Sequence, residues 1–515
     1  MRKQNPYKWN VMIYLAGNNS LSEECIYGLT EALDARIGDE VAIFAQLNTG
    51  VHRGTFLNLR DYKTREELHR KLNEVLLQQA TGARAPESES YPREIFKFVE
   101  RCMGANGEYR ADHNMLSLSG HGGGTLGGFL RDENSGRSKT LELTNLGDLM
   151  KEIKDIILEG KPLDIVGFDS CLMSMTEIAY AIRDSVSVMI GAEGFEPRAG
   201  WPYRRVLELI SQHTDDVNSL ARKIVNEYVS YYTIYQAASV SVDQAACDMG
   251  EMGTLTTSIQ SLAETLTNIL EKYPDERRTM NVEDPPDSAV VRDAVLLSHW
   301  EAQLYKNEQY TDLYDFCSLL KGKLGRKYES VRRACQNVLN AIVGGEKQEE
   351  WELADDSFQM AKGFVLKSCY SGWTVQYSHG VSIYFPWAEV PMEMQEYERL
   401  KFAKDSKWAD FLRVYLRVTK RDPRPGIGKP TSFGFDFLSP SFNVVPSGFP
   451  SHRDAEPNRN GEPNRNAEPN RDADPNRNAD PNKNANSNRS LSNLVGSMKN
   501  PPTAFFTCSD LYSDD

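Results

Sequence analysis

A histidine and a cysteine each follow an apolar run of the kind that forms a buried strand. His121 lies in Ser-Gly-His-Gly-Gly-Gly near the end of residues 114–124, and Cys171 ends the largely apolar stretch 163–171. The carboxyl ends of parallel strands meet at one edge of a sheet, where open α/β folds bind ligands, so the two side chains are expected to lie close together. A cysteine beside a histidine is the arrangement of a thiol nucleophile and its general base.

Each of these two residues also has a purely structural explanation. The three glycines after His121 could form a tight turn around a hydrogen-bonded histidine, or they could let a substrate approach amides that stabilise an oxyanion. Cys171 alone could be a small buried hydrophobe. At the start of a helix predicted over 173–184, it could instead be an activated thiolate. Because both residues end an apolar strand, the pair favours the chemical interpretation.

Asp169 stands two residues before Cys171, on the same face of the predicted strand. Its carboxylate could pair with a substrate Arg or Lys, or it could cap the following helix, and the two roles are compatible. The sequence lacks the motifs of other kinds of catalytic or binding site. No Lys-Ser/Thr follows the glycines as in a nucleotide P-loop, and the chain has neither the Gly-x-Ser-x-Gly elbow of an esterase nor a His-Glu-x-x-His zinc motif.

Composition narrows the class of protein. The chain has 515 residues, 40% of them hydrophobic, which is enough for a large core. Its net charge is −14 and no basic block stands out, so a nucleic-acid partner is disfavoured. Eight scattered cysteines without a Cys-x-x-Cys pair argue against a zinc site and a disulfide scaffold, and favour a reducing interior.

No targeting or membrane segment is evident. The first residues are polar and charged, unlike a signal peptide, and no window approaches the roughly 20 apolar residues of a membrane span. We therefore expect a cytoplasmic protein without a membrane partner. A secretion route that needs no signal peptide stays open.

Three regions follow from the patterns along the chain. Apolar strands alternate with helices over 1–236, which predicts an α/β domain with a mainly parallel sheet. Residues 237–419 predict a helix-rich region that sends strands back to the first. Residues 420–515 contain six-residue repeats such as AEPNRN, cannot bury a core, and are predicted to be disordered. Within the second region the patterns predict a strand over 238–242 and helices over 310–343 and 392–415.

Five stretches together resemble the clostripain-like cysteine peptidases of the caspase clan: WNVMIYLAGNNSL, SLSGHGGG, DIVGFDSCLMSMTEIAY, GAEGFEPRAGWPY and GVSIYFP. The resemblance covers about residues 8–416. It implies a caspase-like α/β sandwich and a Cys–His dyad, with Cys171 as the nucleophile and His121 as the general base and acid. It also implies that the amides of Gly122 and Cys171 form the oxyanion hole. Asp169 then matches the acid at the floor of the S1 pocket, which predicts cleavage after Arg or Lys.

The later motif departs from the family pattern. Members often carry Gly-Asp-Gly-Trp there, whereas this chain has Ala199 in place of the acid and Arg198 before it. Glu193 or Glu196 could supply the missing charge, and Glu193 and Trp201 join Asp169 as predicted substrate-binding residues. Calcium dependence occurs in the family, but no ligand loop in this sequence fixes a site. We therefore expect no metal and no other cofactor.

Some family members are activated by a cut between the His and the Cys. The polar stretch 130–140 offers Arg131, Arg137 and Lys139 as self-cleavage candidates. The leading hypothesis is thus a cysteine endopeptidase acting on peptides or proteins. The alternative is a catalytically silent caspase-like module for binding or assembly. Neither hypothesis specifies an oligomeric state.

Overall fold

An eight-stranded sheet organises the chain. The computed structural model describes residues 5–49, 54–81, 90–132, 139–212, 216–273, 285–344 and 362–420. Its strands are β1 (Tyr7–Gly17), β2 (Val41–Thr49), β3 (Thr55–Asn58), β4 (Ala111–Ser119), β5 (Phe129–Asp132), β6 (Lys139–Leu141), β7 (Leu163–Asp169), β8 (Val186–Gly191), β9 (Val242–Asp248), β10 (Leu304–Tyr305), β11 (Tyr310–Asp312), β12 (Val365–Ser371) and β13 (Ser382–Tyr384).

The central sheet has the order β12-β9-β8-β7-β4-β1-β2-β3. The five strands from β8 to β2 are mutually parallel. The edge strands β3 and β12, and the strand β9 beside β12, are antiparallel to their neighbours. Two small sheets, β10-β11-β13 and β5-β6, lie outside it. Since β1 is followed by β2 on one side and pairs with β4 on the other, the strand order reverses at β1, the place where such folds form ligand crevices.

Helices cover both faces of this sheet. Their bounds are α1 (Ser22–Leu33), α2 (Arg65–Thr81), α3 (Tyr91–Cys102), α4 (Gly124–Gly127), α5 (Leu143–Glu152), α6 (Thr176–Ile182), α7 (Tyr203–Gln212), α8 (Val217–Thr233), α9 (Met252–Leu270), α10 (Asp287–Glu301), α11 (Leu313–Lys323), α12 (Glu329–Val343), α13 (Pro391–Arg399), α14 (Lys401–Asp405) and α15 (Trp408–Thr419). None of these described helices is both long and apolar enough to cross a membrane.

The strand β1 explains why the sheet needs two layers of helices. Its alternate residues point to opposite faces, and both sets are apolar and buried. Trp9 and Val11 join one hydrophobic core with residues of α1, α7 and α8. Met12 and Tyr14 join the other with residues of α3, α5 and α6. A strand buried on both faces reads as a continuous apolar run, which is why the sequence pattern predicts it well.

The helix predicted over 173–184 is shorter in the structure. It begins at Thr176 and ends at Ile182, because Leu172 adopts a left-handed conformation with φ of 63° and the chain turns before the helix starts. Cys171 therefore does not lie in the first turn of a helix. The expected helix-dipole effect on its thiolate does not apply.

The predictions for 237–419 were partly wrong. The strand expected over 238–242 is β9, which begins where the prediction ended, and 310–343 is β11 followed by α11 and α12. These two helices are separate because Leu324 is extended and Gly325 follows it. Similarly, 392–415 is divided into α13, α14 and α15, since Leu400 is extended and Lys407 is left-handed.

This second region completes the central sheet. It supplies β9 and β12, and β9 pairs with β8 of the first region. Both parts therefore share one sheet. Residues 421–515, with the six-residue repeats, lie outside the described residues.

Candidate active site

The loops that carry His121 and Cys171 leave neighbouring strands at the same level. β4 and β7 are parallel, and Ser119 pairs with Asp169 at their carboxyl ends. His121 and Cys171 therefore stand at equivalent positions, two residues beyond that pair. The amide of Gly120 donates to the Asp169 carbonyl (3.2 Å) and the Ser170 hydroxyl donates to the Gly120 carbonyl (2.6 Å). The two loops are thus joined side by side at the sheet edge.

Gly122 lies directly against the Cys171 backbone. A Cβ placed on Gly122 would overlap the Cys171 carbonyl oxygen, so only glycine allows this approach. Gly122 also forms an antiparallel bridge with Phe129, closed by bonds of the flanking residues, from Leu130 N to His121 O and from Gly123 N to Gly128 O. In such a bridge the central residue directs its own N–H away from its partner.

Cys171 is 1% exposed and its sulfur accepts a hydrogen bond from the Glu196 amide, 3.3 Å away. The nucleophilic form of this residue is the thiolate. An amide that donates to sulfur stabilises that thiolate. The left-handed Leu172 beside it is the kind of backbone strain found near functional residues.

His121 is buried, and its Nε2 atom lies 3.0 Å from the Ser20 hydroxyl oxygen. Burial, followed by the charges of Arg198 and Arg131, lowers the pKa of His121 to about 4. The imidazole is therefore neutral near neutral pH and able to accept a proton. The Ser20 contact orients the ring and selects its tautomer.

Asp169 is enclosed by the loop that contains the Arg-Ala-Gly-Trp motif. Its Oδ1 accepts the Trp201 amide (2.9 Å) and its Oδ2 accepts the Tyr203 hydroxyl (2.8 Å). Burial raises the pKa of Asp169, and hydrogen bonds from Ser119 and Tyr203 act against that rise. Gly200, at φ of 68°, passes so close that an added Cβ would lie 2.7 Å from Oδ1. Asp169 therefore organises this loop.

Glu193, a predicted substrate-binding residue, faces a different cluster. It is fully buried, its Oε2 accepts the Gly380 amide (2.7 Å), and its own amide donates to Asp243 (2.7 Å). Burial, and then the charges of Asp312 and Asp243, raise the pKa of Glu193 well above its usual range. Glu193 thus joins β8 to the segment before β13 and does not line the pocket beside Cys171.

A small pocket of about 30 Å³ opens beside Cys171. Its polar lining includes Asp169 together with Glu24, Glu196 and Arg198, and Ala199 also lines it. Trp201 contributes its amide to Asp169, while its ring is buried against Gly167. Of the predicted substrate-binding residues, Asp169 is the one that reaches this pocket with its side chain.

Two of the three self-cleavage candidates, Arg131 and Lys139, lie on the paired strands β5 and β6. Arg131 is exposed on β5, but its carbonyl accepts a hydrogen bond from Asn19 (2.7 Å). Lys139 is the first residue of β6. Arg137 lies outside the described residues. The bonded Arg131 carbonyl makes the Arg131–Asp132 bond a poor substrate in the folded chain.

Comparisons with known proteins place these features in a family. A model of the clostripain family matches residues 13–415.

The chain belongs to the clostripain family.

Clostripain of Hathewaya histolytica is 22% identical over 282 residues, which cover 49% of this chain and 52% of that protein, so the chain spans about half the length of this curated relative. A secreted C11 cysteine protease of Bacteroides thetaiotaomicron, solved with an irreversible peptide inhibitor, is 14% identical and superposes with a TM-score of 0.51. That match covers 78% of this chain and 99% of that one. The family and the caspase-like α/β sandwich predicted from the sequence are confirmed. Cysteine-type peptidase, the predicted enzyme class, is the class of this family.

Sequence reasoning missed Ser20, Lys306 and Tyr310 around this clostripain-family site. Ser20 contacts His121, and Lys306 and Tyr310 hold the glycine loop from the far side. Lys306 Nζ and Tyr310 OH each donate to the Gly123 carbonyl at 2.7 Å. No local sequence pattern predicts the contacts of Ser20, Lys306 and Tyr310, since each joins residues a hundred or more positions apart.

The described residues contain no group of three or more His, Cys, Asp or Glu side chains arranged to hold a metal ion. The Bacteroides relative is described as secreted, and the cytoplasmic location of this chain stays a prediction.

Proposed function

We propose that the protein is a cysteine endopeptidase in which Cys171 is the nucleophile and His121 the general base and acid. The observation that carries this proposal is the matched register of β4 and β7, which supports a dyad at the strand ends. His121 takes the proton of the Cys171 thiol, and the resulting thiolate attacks the scissile carbonyl carbon. The C–N bond then breaks as His121 delivers that proton to the departing amine. Water, deprotonated by His121, then hydrolyses the acyl-enzyme and restores the thiol.

The oxyanion formed in each step is stabilised by backbone amides. Gly122 directs its N–H away from the bridge with Phe129, and its lack of a Cβ supports the close approach to the Cys171 backbone. The Cys171 amide is the second donor. One such donor contributes about 3 kcal/mol to the stability of a transition state.

The substrate class is peptides with Arg or Lys at P1. Support comes from the carboxyl groups of Asp169, Glu24 and Glu196 in the pocket beside Cys171, since a cluster of acidic groups favours a cationic side chain. Ala199 removes one carboxylate from the family pattern, and Arg198 adds a positive charge. The preference therefore depends on how the remaining acids are arranged.

Self-cleavage within 130–140 completes the proposal. The segment leaves the active-site edge of the sheet, between β5 and β6, and carries basic residues that suit the same pocket. The bonded Arg131 carbonyl favours Arg137 or Lys139 as the cut site.

Hydrolysis of fluorogenic peptides with Arg, Lys or Leu at P1, measured in the presence of a reductant, tests this function. The wild type should cleave the Arg and Lys peptides faster than the Leu peptide. Cys171→Ala should lower kcat by at least about a thousandfold, because it removes the nucleophile. Cys369→Ala, which changes a free and partly exposed cysteine, is the matched control and should retain activity. Equal rates for wild type and Cys171→Ala would refute the dyad and favour a catalytically silent module.

A further inference from the structure

Arg198 lies across the pocket beside Cys171 and pairs with a carboxylate inside it. Its Nε atom donates to Glu24 Oε1 at 2.9 Å, and a terminal nitrogen donates to the Ser20 carbonyl. The Arg198 side chain is 28% exposed and that of Glu24 only 13%. A guanidinium of the protein itself therefore occupies an acidic pocket of the kind that would receive a basic P1 side chain.

Three carboxyl groups line this pocket, and two of them already have other roles. Asp169 accepts hydrogen bonds from the Trp201 amide and the Tyr203 hydroxyl. Glu196 lies beside Asp169 and Asp243, and burial, followed by the charges of these two groups, raises the pKa of Glu196 well above its usual range. Glu24 is the carboxylate whose partner is a single, partly exposed cation.

The second carboxylate oxygen of Glu24 has no hydrogen-bond donor. This atom, Oε2, is buried and has no hydrogen-bond partner in the described part of the chain. A guanidinium pairs best with both oxygens of a carboxylate at once. Arg198 instead donates to Oε1 of Glu24 and, from a terminal nitrogen, to the Ser20 carbonyl. A substrate arginine could therefore satisfy Glu24 more completely than Arg198 does.

The size of the pocket requires Arg198 to move first. With Arg198 in place the pocket measures about 30 Å³, enough for a few water molecules and too little for an arginine side chain. Arg198 stands at the mouth and is partly exposed, so it can swing into solvent. Its neighbour Ala199 brings no carboxylate of its own, which leaves Glu24 as the acid that Arg198 uncovers.

We propose that Glu24 is a specificity-determining residue that binds the P1 cation directly. In the free enzyme Arg198 takes the place of that cation, and the substrate displaces Arg198. The inference rests on the proposed peptidase function and goes beyond it, since it names the P1 contact and its competitor. Arg at P1 should be favoured over Lys, because a planar guanidinium matches a carboxylate with two donors.

The test compares peptides with Arg and with citrulline at P1, which have the same shape but differ in charge. The ratio of kcat/KM for Arg over citrulline should fall about tenfold in Glu24→Gln, the effect of losing one charged hydrogen-bonded pair. Glu23→Gln removes an exposed charge from the preceding position of the same helix and should leave the ratio unchanged. Thermal unfolding of each variant checks that it is folded.

Arg198→Gln provides a second, opposite readout. It removes the competitor, so KM for the Arg peptide should fall while KM for the citrulline peptide does not, with rates taken on the pH plateau of each variant. If Glu24→Gln does not fold, the change in KM for the Arg peptide in Arg198→Gln tests whether Arg198 competes with the P1 cation.

The outcomes separate the two proposals. A folded Glu24→Gln with the wild-type ratio, or an Arg198→Gln with a raised KM for Arg, would overturn the role of Glu24 and leave the peptidase intact. A wild type that does not distinguish Arg from citrulline would overturn the P1 preference as well. Activity that survives Cys171→Ala would overturn the peptidase mechanism itself.

Discussion

At the scale of single residues, the chemistry depends on what surrounds His121. Ser20 contacts its Nε2 atom, and Arg198 donates to the carbonyl of the same serine. One short chain of contacts therefore connects the general base to the residue at the pocket mouth. Substrate entry that displaces Arg198 would also change the electrostatic field at His121.

This connection predicts a shift in the pH profile. Burial and two nearby arginines hold the pKa of His121 at about 4. Removing the positive charge in Arg198→Gln makes protonation of the imidazole easier, so its pKa should rise. The acid limb of kcat/KM, where the base becomes protonated and inactive, should move to higher pH.

A pH–rate series on the reduced enzyme measures this shift. Arg205→Gln is the control, because Arg205 pairs with Glu227 on α8 and is not among the causes of the His121 shift. An acid limb that stays in place, or that moves to lower pH, would mean that Arg198 does not act on the catalytic base.

Residue roles were predictable from sequence only where they are local. His121 and Cys171 stand at the ends of continuous apolar strands, and the strand pattern therefore locates them. Glu24 appears in sequence as an ordinary acid in the first turn of α1. Its pairing with Arg198 comes from the folding of α1 against the loop after β8, which no period in either segment encodes.

At the scale of elements, the hairpin β10–β11 acts as a clamp on the glycine loop. Lys306 and Tyr310 share the Gly123 carbonyl, and a Cβ on Gly124 would overlap the Tyr310 ring. Burial lowers the pKa of Lys306 to about 8. The clamp fixes the backbone next to Gly122, the proposed oxyanion donor.

Loosening the clamp should slow catalysis without weakening substrate binding. Tyr310→Phe removes one of the two donors to the Gly123 carbonyl, a change of about 1 kcal/mol. We expect kcat to fall about 3- to 10-fold while KM changes little, because an oxyanion donor acts mainly in the transition state. Steady-state kinetics on the Arg peptide gives both constants.

Tyr370→Phe serves as the comparison, since Tyr370 lies half-exposed on the edge strand β12. It should behave as wild type. A Tyr310→Phe variant with unchanged kcat, or with only a raised KM, would show that the hairpin does not position the oxyanion donor.

The elements themselves were predicted unevenly. Strands β1, β2, β4, β7 and β8 are buried on both faces, and their apolar runs are visible in sequence. The pattern did not separate β11 from α11, since Tyr310–Asp312 forms a strand through its pairing with β10 and β13. The breaks at Leu400 and Lys407 are likewise set by tertiary packing, so the sequence pattern alone predicts a single helix over 392–415.

At the scale of the whole molecule, the sheet explains how a cut chain could remain one protein. Strands β1 to β4 precede the segment 130–140, and β7, β8, β9 and β12 follow it. The two sets meet at the β4–β7 pair, which also carries the dyad. A cut between β5 and β6 would leave both pieces joined through the central sheet and the two cores.

Self-processing should therefore give two fragments that stay together. Reduced wild type should yield an N-terminal piece ending at Arg137 or Lys139, and both pieces should elute as one species in size-exclusion chromatography. Cys171→Ala should stay intact under the same conditions. Intact-mass spectrometry identifies the new termini, and the same fragments from Cys171→Ala would assign the cut to another protease.

Covalent labelling by a peptidyl-arginine chloromethyl ketone tests directly whether Cys171 is the nucleophile. The reduced enzyme should take up one label, peptide mapping should place that label on Cys171, and hydrolysis should be lost in proportion to labelling. His121→Ala should label and hydrolyse far more slowly. Full hydrolysis by an enzyme labelled completely at Cys171, or inactivation by a label on any other residue, would show that Cys171 is not the nucleophile.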